Sequence, residues 1–320
     1  MSPDAPGIDR VAICALTFRR PHGLTRLLTE LEALDVDDAT SVTIIIVDND
    51  ADASARDAVG AHAESSRFNV RYVHEPTRGI SSARNAAVRT ALEGDADAIC
   101  FLDDDEWPDR TWLTEFLDTA ERTGADVVTG PVFAEFETPP PQWVLDGGFF
   151  DRRRHRHEEP IRYATTSTVL IRASALRTRP APLDTEPFDL AFGLSGGEDT
   201  HLFAQMRDAG CTIVWCDHAH VSELIPASKV RTGWMLRREY RRGQTLSLSM
   251  RQRTPGAWRA TRRITNGGIE IARGIAQTII GVFRGRGAVV TGLHRIVFGA
   301  GMWTGLAGRR YREYATTHGT

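Results

Sequence analysis

From residue 10 to 135 short apolar runs alternate with segments of helical periodicity, and most apolar runs end on polar or charged residues. Residues 11–17 form one such run. Residues 21–34 then place Leu24, Leu27, Leu28, Leu31 and Leu34 at three- and four-residue spacing, the pattern of an amphipathic helix. Residues 42–47 (VTIIIV) are rich in β-branched side chains, and 70–74 form a shorter run. An Ala-rich helix is expected over 81–92, and a strand over 98–102. A helix from Pro108 follows, carrying Trp112, Leu113, Phe116 and Leu117, and then a strand over 126–133. Strands separated by helices imply right-handed crossovers and a mainly parallel central sheet flanked by helices, an α/β fold. Near-continuous apolar strands agree, because such sheets are covered on both faces.

The alternation breaks after residue 136. Residues 137–160 hold three consecutive prolines, Gly147-Gly148 and the basic run 152–157, and read as a loop. A strand with a polar first half is expected over 162–172, a helix from Glu198 to about Asp208, and a strand over 211–215. Beyond Pro226 the chain reads as helices. Charge is split between the two parts: residues 226–320 carry 18 Lys and Arg against 3 Asp and Glu, leaving an acidic body in front. The four cysteines lie in apolar surroundings without a CxxC pair, which suits buried thiols in a reducing cytoplasm. The N-terminal stretch MSPDAPGIDR lacks an apolar core, so no signal peptide is expected, and no uninterrupted apolar run reaches membrane-spanning length.

In open parallel sheets ligands bind beyond the carboxyl ends of the strands. Thr17, Phe18, Arg19 and Arg20 follow the first run. Asp48, Asn49 and Asp50 follow the second. Thr77, Arg78, Gly79 and Arg84 follow the third, and Asp103, Asp104 and Asp105 the fourth. All should meet on one rim. Carboxylates beside arginines suit a nucleoside diphosphate with a divalent cation, which takes hard oxygen ligands while arginine binds phosphate. Each element has a plainer alternative: acids in the first turn of a helix, Asp48 as a turn or N-cap residue, solvated arginines. Neither a Walker phosphate loop nor GxGxxG is present.

The stretches CALTFRRPHGL, IIIVDND, RGISSARNAAV, FLDDDEWPDRTWL and GGEDTHLF occur in this order over roughly residues 10–245. Together they resemble an inverting family 2 glycosyltransferase of the GT-A type, of the bacterial exopolysaccharide, succinoglycan-type branch. The resemblance implies a GT-A fold with a C-terminal helical extension. It implies a nucleotide-sugar donor, a UDP-sugar first, and Mn2+ or Mg2+ as cofactor. Thr17 and Asp48 would lie at the base and ribose, with Arg78, Gly79 and Arg84 beside the nucleotide and Arg20 also among the donor-binding residues. Asp105 would be the principal metal ligand, with Asp103 on ribose or metal-bound water and Asp104 able to substitute. Glu198-Asp199 match the family's ED pair, in which the aspartate is the general base that takes the acceptor proton; helix-start acids are the alternative. Arg238 and Arg241 lie where processive relatives carry QxxRW, which is missing here, so single-sugar transfer is expected. Arg19 and Thr77 depart from the family's pattern, which leaves the donor base open. Residues 137–165 fall where acceptor recognition is usual, or form a lid or plain surface. His220 lies in a segment near the family's active site.

Residues 1–250 are therefore expected to form the glycosyltransferase domain, with 10–135 as the donor half and 136–250 as the acceptor half. Residues 251–320 would form a basic amphipathic helical tail. Over 262–284, Arg263, Asn266, Glu270, Arg273, Gln277 and Arg284 fall on one stripe beside a wide apolar face. Such helices lie on anionic membrane surfaces or pack on the protein itself. Nucleic acid is not expected, because aromatics are sparse in the tail. The partners implied are a glycan or lipid-linked acceptor and, peripherally, the inner face of the cell membrane. A sugar nucleotidyltransferase would share the sheet and metal logic but lacks its Gly-rich signature here; a non-catalytic sugar-nucleotide-binding module is the remaining alternative.

Overall fold

The computed structural model describes residues 7–177, 186–253 and 256–307. Strands β1 (Arg10–Thr17), β2 (Ser41–Asp48), β3 (Asn69–His74) and β4 (Ala98–Asp103) are joined by helices α1 (Pro21–Glu32), α2 (Arg56–Ala63) and α3 (Ile80–Glu93). They pair in parallel in the order β3-β2-β1-β4. The register sets Thr17 opposite Asp48, Asp48 opposite His74 and Leu16 opposite Asp103, so the carboxyl ends form one level rim.

The pleat divides the core. Val11, Ile13 and Ala15 of β1 face α1, whereas Ala12 and Cys14 face α3. Leu24, Leu27, Leu28 and Leu31 of α1 are buried on the first face, each contributing about 1.5–3 kcal/mol. Helix α4 (Trp112–Thr123) joins that face through Trp112 and Phe116, and the Trp112 indole donates to Thr168 Oγ1 at 3.0 Å. All four cysteines are buried and free.

After β4 the chain departs from simple alternation. A short β5 (Glu106–Pro108) leaves the main sheet. The strand expected over 126–133 is two strands, β6 (Val127–Thr129) and β7 (Val132–Phe136), in different sheets. The break falls at Gly130-Pro131, where Pro lacks a donor and a β-carbon at Gly130 would lie 2.6 Å from Ala219 O. Beyond α5 (Gln142–Asp146) and β8 (Pro160–Ile161), only Val169–Arg172 of the expected strand over 162–172 pairs, as β9. Strand β9 runs antiparallel between β4 and β6. After α6 (Ala173–Arg177), α7 (Glu198–Asp208) packs Leu202 and Phe203 onto the α3 face. Then come β10 (Ile213–Trp215) and β11 (Val221–Ile225). The main sheet, ordered β3-β2-β1-β4-β9-β6-β10-β8, is parallel over its first four strands and mixed thereafter; β5-β11-β7 form a small second sheet.

Helix α8 (Thr232–Arg253) runs past residue 250 and is followed by α9 (Ala257–Gly281) and α10 (Arg286–Leu306). Glycines form the seams between them. A β-carbon at Gly274 of α9 would lie 2.7 Å from Gly292 O of α10, and one at Gly301 of α10 only 2.1 Å from Tyr240 O of α8. Backbones this close admit no larger residue. Arg263 is buried at the seam side, with Nη2 donating to Met250 O at 2.7 Å, and Arg295 Nη1 donates to Glu270 Oε2 at 3.1 Å. The polar stripe read from the sequence therefore partly faces inward. Ile264, Ile275, Ile279, Ile280, Val282 and Phe283 are exposed instead.

Candidate active site

A cavity of about 810 Å³ opens over the rim, between the ends of β1, β2 and β4 and the N-terminal half of α8. Thr17, Arg20, Arg78, Gly79, Asp103, Asp104, Asp105, Arg238 and Arg241, all singled out from sequence, line it. Asp48, Arg84, Glu198 and Asp199 do not.

Pleat parity explains how the acids divide. Asp104 is in phase with Cys100 and Leu102 and turns toward the α1 side, as does Thr17. Thr17 Oγ1 donates to Asp104 Oδ2 at 3.0 Å, and Arg20 Nη1 donates to Asp104 Oδ1 at 2.8 Å. Burial pushes Asp104 up to about 6 against the pull of Arg20. Asp105 is also desolvated, yet Lys229 and Arg20 outweigh burial and hold it below the ordinary carboxylate range. Arg20 Nη1 reaches Asp105 Oδ2 at 3.3 Å and Lys229 Nζ reaches the same oxygen at 3.1 Å.

Asp103, in phase with Ile99 and Phe101, turns toward α3 and accepts from Arg84 Nη2 at 3.3 Å. The other guanidinium arm of Arg84 bonds Glu198 Oε1. Arg84 and Glu198 are both buried. Arg84, expected beside the nucleotide, is a tie behind the rim that joins the β4 acids to the start of α7. Burial in a helix packed on the sheet explains the difference.

Asp48 follows the same logic. It shares the phase of Ile44 and Ile46, which face away from α3. Its Oδ1 accepts from Asp50 N at 3.0 Å, and its Oδ2 from Ala55 N at 2.7 Å and Tyr72 Oη at 3.0 Å. These bonds organise the turn after β2, and Asp48 lies outside the cavity lining. Asn49, one residue on, faces the cavity: Nδ2 donates to Glu75 O and Thr77 O, and Oδ1 accepts from Gly79 N, each at 2.8 Å. The sequence places Asn49 on the rim without a role of its own, and its opposite phase to Asp48 at the end of β2 is what turns it to the cavity.

The pair at α7 is split. Two left-handed glycines, Gly196 and Gly197, precede it, and a β-carbon on Gly197 would collide with Thr245 of α8. Glu198 is neutralised by Arg84. Asp199 is half-buried, and its Oδ1 accepts from Thr200 N at 2.5 Å and Thr200 Oγ1 at 3.2 Å.

The far wall comes from the loop before β9 and from α8. Phe149, Phe150, Arg152, Tyr163 and Trp215 line it, so part of the segment expected to recognise acceptor does face the cavity. Arg238 donates to Phe149 O at 2.6 Å, and its guanidinium lies over the rings of Phe150 and Trp234 at 5.2 and 5.4 Å. His220 lies off the cavity, paired with Asp109 at 3.3 Å. Lys229 and Trp234 line the wall and were not singled out from sequence.

Among the described residues no group of three or more His, Cys, Asp or Glu side chains is disposed to hold a metal ion alone. Asp103 and Asp105 offer two carboxylates at the cavity wall. That sparse oxygen set fits a Mg2+ or Mn2+ ion whose remaining positions are taken by phosphate oxygens and water.

A family model for glycosyl transferase family 2 matches residues 12–179. Succinoglycan biosynthesis protein ExoM of Rhizobium meliloti (strain 1021) is 36% identical over 251 residues, covering 78% of this chain and 78% of that protein. Pre-mycofactocin glycosyltransferase of Mycobacterium tuberculosis (strain ATCC 25618 / H37Rv) is 26% identical over 263 residues, covering 78% of this chain and 49% of the relative. Among solved structures, GalNAc-T7 with UDP, GalNAc and Mn2+ superposes with a TM-score of 0.51 at 10% identity, over 75% of this chain and 51% of that one. At that identity the likeness speaks for the fold alone.

Proposed function

The chain belongs to glycosyl transferase family 2 and is a glycosyltransferase of the GT-A fold, and from that premise we propose a specific reaction. It moves a hexose, with inversion, from a nucleotide-diphosphate sugar onto a glycan or lipid-linked acceptor of the cell envelope or of exported polysaccharide. The observation that carries this reading is the level rim: Asp103, Asp105, Arg20 and Arg78 converge on one cavity from three strand ends. The succinoglycan-related relative supports an exopolysaccharide product, and the acids and arginines gathered at the rim support a nucleoside-diphosphate donor with a divalent cation, a UDP-sugar first.

The donor's base and ribose lie between Arg78, Gly79 and Asn49, and its diphosphate faces Asp105 and Asp103. Asp105 and Asp103 would hold a divalent cation, which when bound would supply positive charge to the leaving diphosphate. Arg20 fixes Asp104 and Asp105 in place. Arg238 and Arg241, from α8, add charge-assisted hydrogen bonds to phosphate oxygens from the opposite wall. Asp199 lies off the cavity lining, next in sequence to Glu198, which Arg84 ties to Asp103 of that lining, and we assign it the proton of the attacking hydroxyl. Of the α7 pair it alone is not tied to a cation, since Glu198 is held by Arg84. Glu198 is a positioning residue. The aromatic wall of Phe150, Tyr163 and Trp215 offers ring faces to the acceptor.

We also assign residues 1–250 to the catalytic domain and the later helices to a peripheral contact with the inner face of the membrane. No helix among the described residues is long and apolar enough to cross one. The exposed isoleucines of α9, bordered by Arg262, Arg273 and Arg284 at eleven-residue intervals along one edge, support an in-plane contact with anionic lipid. A thermal-shift screen of UDP-, GDP- and dTDP-sugars with Mn2+ tests the reaction. One donor should stabilise the protein, as a ligand of the folded state must. Absence of stabilisation by any of them at millimolar concentration would overturn the reading.

A further inference from the structure

Thirty-nine residues of this chain are Lys or Arg, and Lys229 is the one lysine. It lies in the turn between β11 and α8, where its backbone N–H donates to Pro226 O at 2.9 Å. Its ammonium bonds Asp105 Oδ2 at 3.1 Å and Glu223 Oε1 at 3.3 Å. Glu223 reaches that position because β11 pairs antiparallel with β5, setting it opposite Glu106, and because Leu224 N donates to Asp105 O at 2.9 Å. The remaining oxygen of Glu223 accepts from Arg152 Nη2 at 2.7 Å. Lys229, Asp105, Glu223 and Arg152 all line the cavity.

The choice of cation is informative. Every other basic position in the chain carries arginine, whose planar fork binds carboxylates in a fixed bidentate geometry. An ammonium is a compact point charge on a flexible stem and can leave one oxygen for another. Asp105 and Glu223 together would repel each other without a cation between them. An arginine there would lock the pair; a lysine neutralises it and can still move.

Resting on the donor site proposed above, we infer that Lys229 is a built-in counter-ion of Asp105 and Glu223 that competes with the divalent cation in the donor-free protein and moves to the diphosphate when donor and cation bind together. The pair is thus kept neutral until the donor arrives, and cation binding is coupled to diphosphate binding. Lys229 is a positioning residue at the metal edge and a phosphate contact in the loaded cavity.

The test uses the full chain. Calorimetric titration with Mn2+ alone compares wild type with Lys229→Met and Lys229→Arg. Removing the charge should tighten Mn2+ binding about tenfold or more, since the ion then no longer displaces an ammonium from Asp105 Oδ2 and Glu223 Oε1, and only Arg20 and Arg152 still oppose it. The arginine variant should bind Mn2+ no more tightly than wild type. UDP titrated without metal should bind more weakly to Lys229→Met. Unchanged or weaker Mn2+ binding by a folded Lys229→Met would overturn the inference. Should that variant not fold, 13C-labelled lysine in the wild type gives a single ε-carbon signal. That signal should shift when Mg2+ and UDP are added together, and one that stays in place would overturn the proposal. Wild type that binds UDP with Mn2+ while Lys229→Met shows no gain loses only the role of Lys229. Wild type that binds no nucleoside diphosphate at all loses the donor site itself.

Discussion

The strand-end rim and the α9–α10 hairpin use the same kinds of residue in opposite ways. In β1, β2 and β4 the apolar side chains point to both faces of the sheet and are covered by α1, α3, α4 and α7. Polar residues are left only at the ends, where they meet. In the hairpin the inward seam is built on glycines, with Ile271 and Ile296 against them and the polar bridges Arg263–Met250 and Glu270–Arg295 at or near it, while Ile264, Ile275, Ile279, Ile280 and Phe283 face out. The rim hides apolar surface to display chemistry. The hairpin displays apolar surface, and its coherence comes from backbone proximity instead of a conventional apolar core.

If that contrast is right, changes at the rim should alter catalysis and spare the fold, and changes at the seam should do the reverse. The largest effect is expected from Asp199→Asn: kcat should fall about 10²–10⁴-fold, the usual range for losing a general base, with donor affinity kept. A variant that loses donor binding as well would remove Asp199 from that role. At the seam, Gly274→Leu forces a side chain where even a β-carbon lies 2.7 Å from Gly292 O. It should destabilise the protein by about 1–3 kcal/mol in urea unfolding. Unchanged stability would mean the helices do not pack through that glycine.

On the outward face, the double change Ile279→Ser and Phe283→Ser should leave stability within about 0.5 kcal/mol. Co-sedimentation with vesicles containing anionic lipid should drop about tenfold or more, from lost apolar burial. Retained vesicle binding would deny this face its lipid contact.

The smallest effect is a pH dependence. Burial lowers His294, which packs on Phe149 at the foot of the hairpin, and likewise lowers His201 in α7. The unfolded imidazole titrates near about 6.5. Stability from the neutral folded form is therefore present above that pH and is lost as pH falls through the depressed folded value. The stability advantage of wild type over His294→Leu should shrink on acidification below 6.5, by at most about 1.4 kcal/mol per pH unit. A constant difference between pH 7.5 and 5.5 would place His294 in solvent.

What the sequence disclosed follows the same contrast. The alternation over residues 10–135 and the convergence of strand ends were legible because continuous apolar runs and helical spacing leave direct marks in the order of residues. The turn bonds of Asp48 were not legible because its residue type suits both a turn and a ligand, and its phase with Ile44 and Ile46 shows only in the fold. Arg84 and Glu198 misled because a buried ion pair between distant helices, 114 residues apart, leaves no local signal. The antiparallel entry of β9 was hidden by its length of four residues. The hairpin's orientation was hidden because its contact surface runs through Gly267, Gly274 and Gly281, which carry no side chain to mark a face.

The central claim is that the rim binds a nucleoside diphosphate through a cation held at Asp105. Isothermal titration of UDP, GDP and dTDP in the presence of Mn2+, against wild type and Asp105→Ala, tests it most directly. The account predicts that one nucleotide binds wild type with Mn2+, that chelation of the metal weakens this binding, and that Asp105→Ala abolishes the metal's contribution while its melting transition stays cooperative. Equal affinity of wild type and Asp105→Ala with Mn2+ present would contradict it.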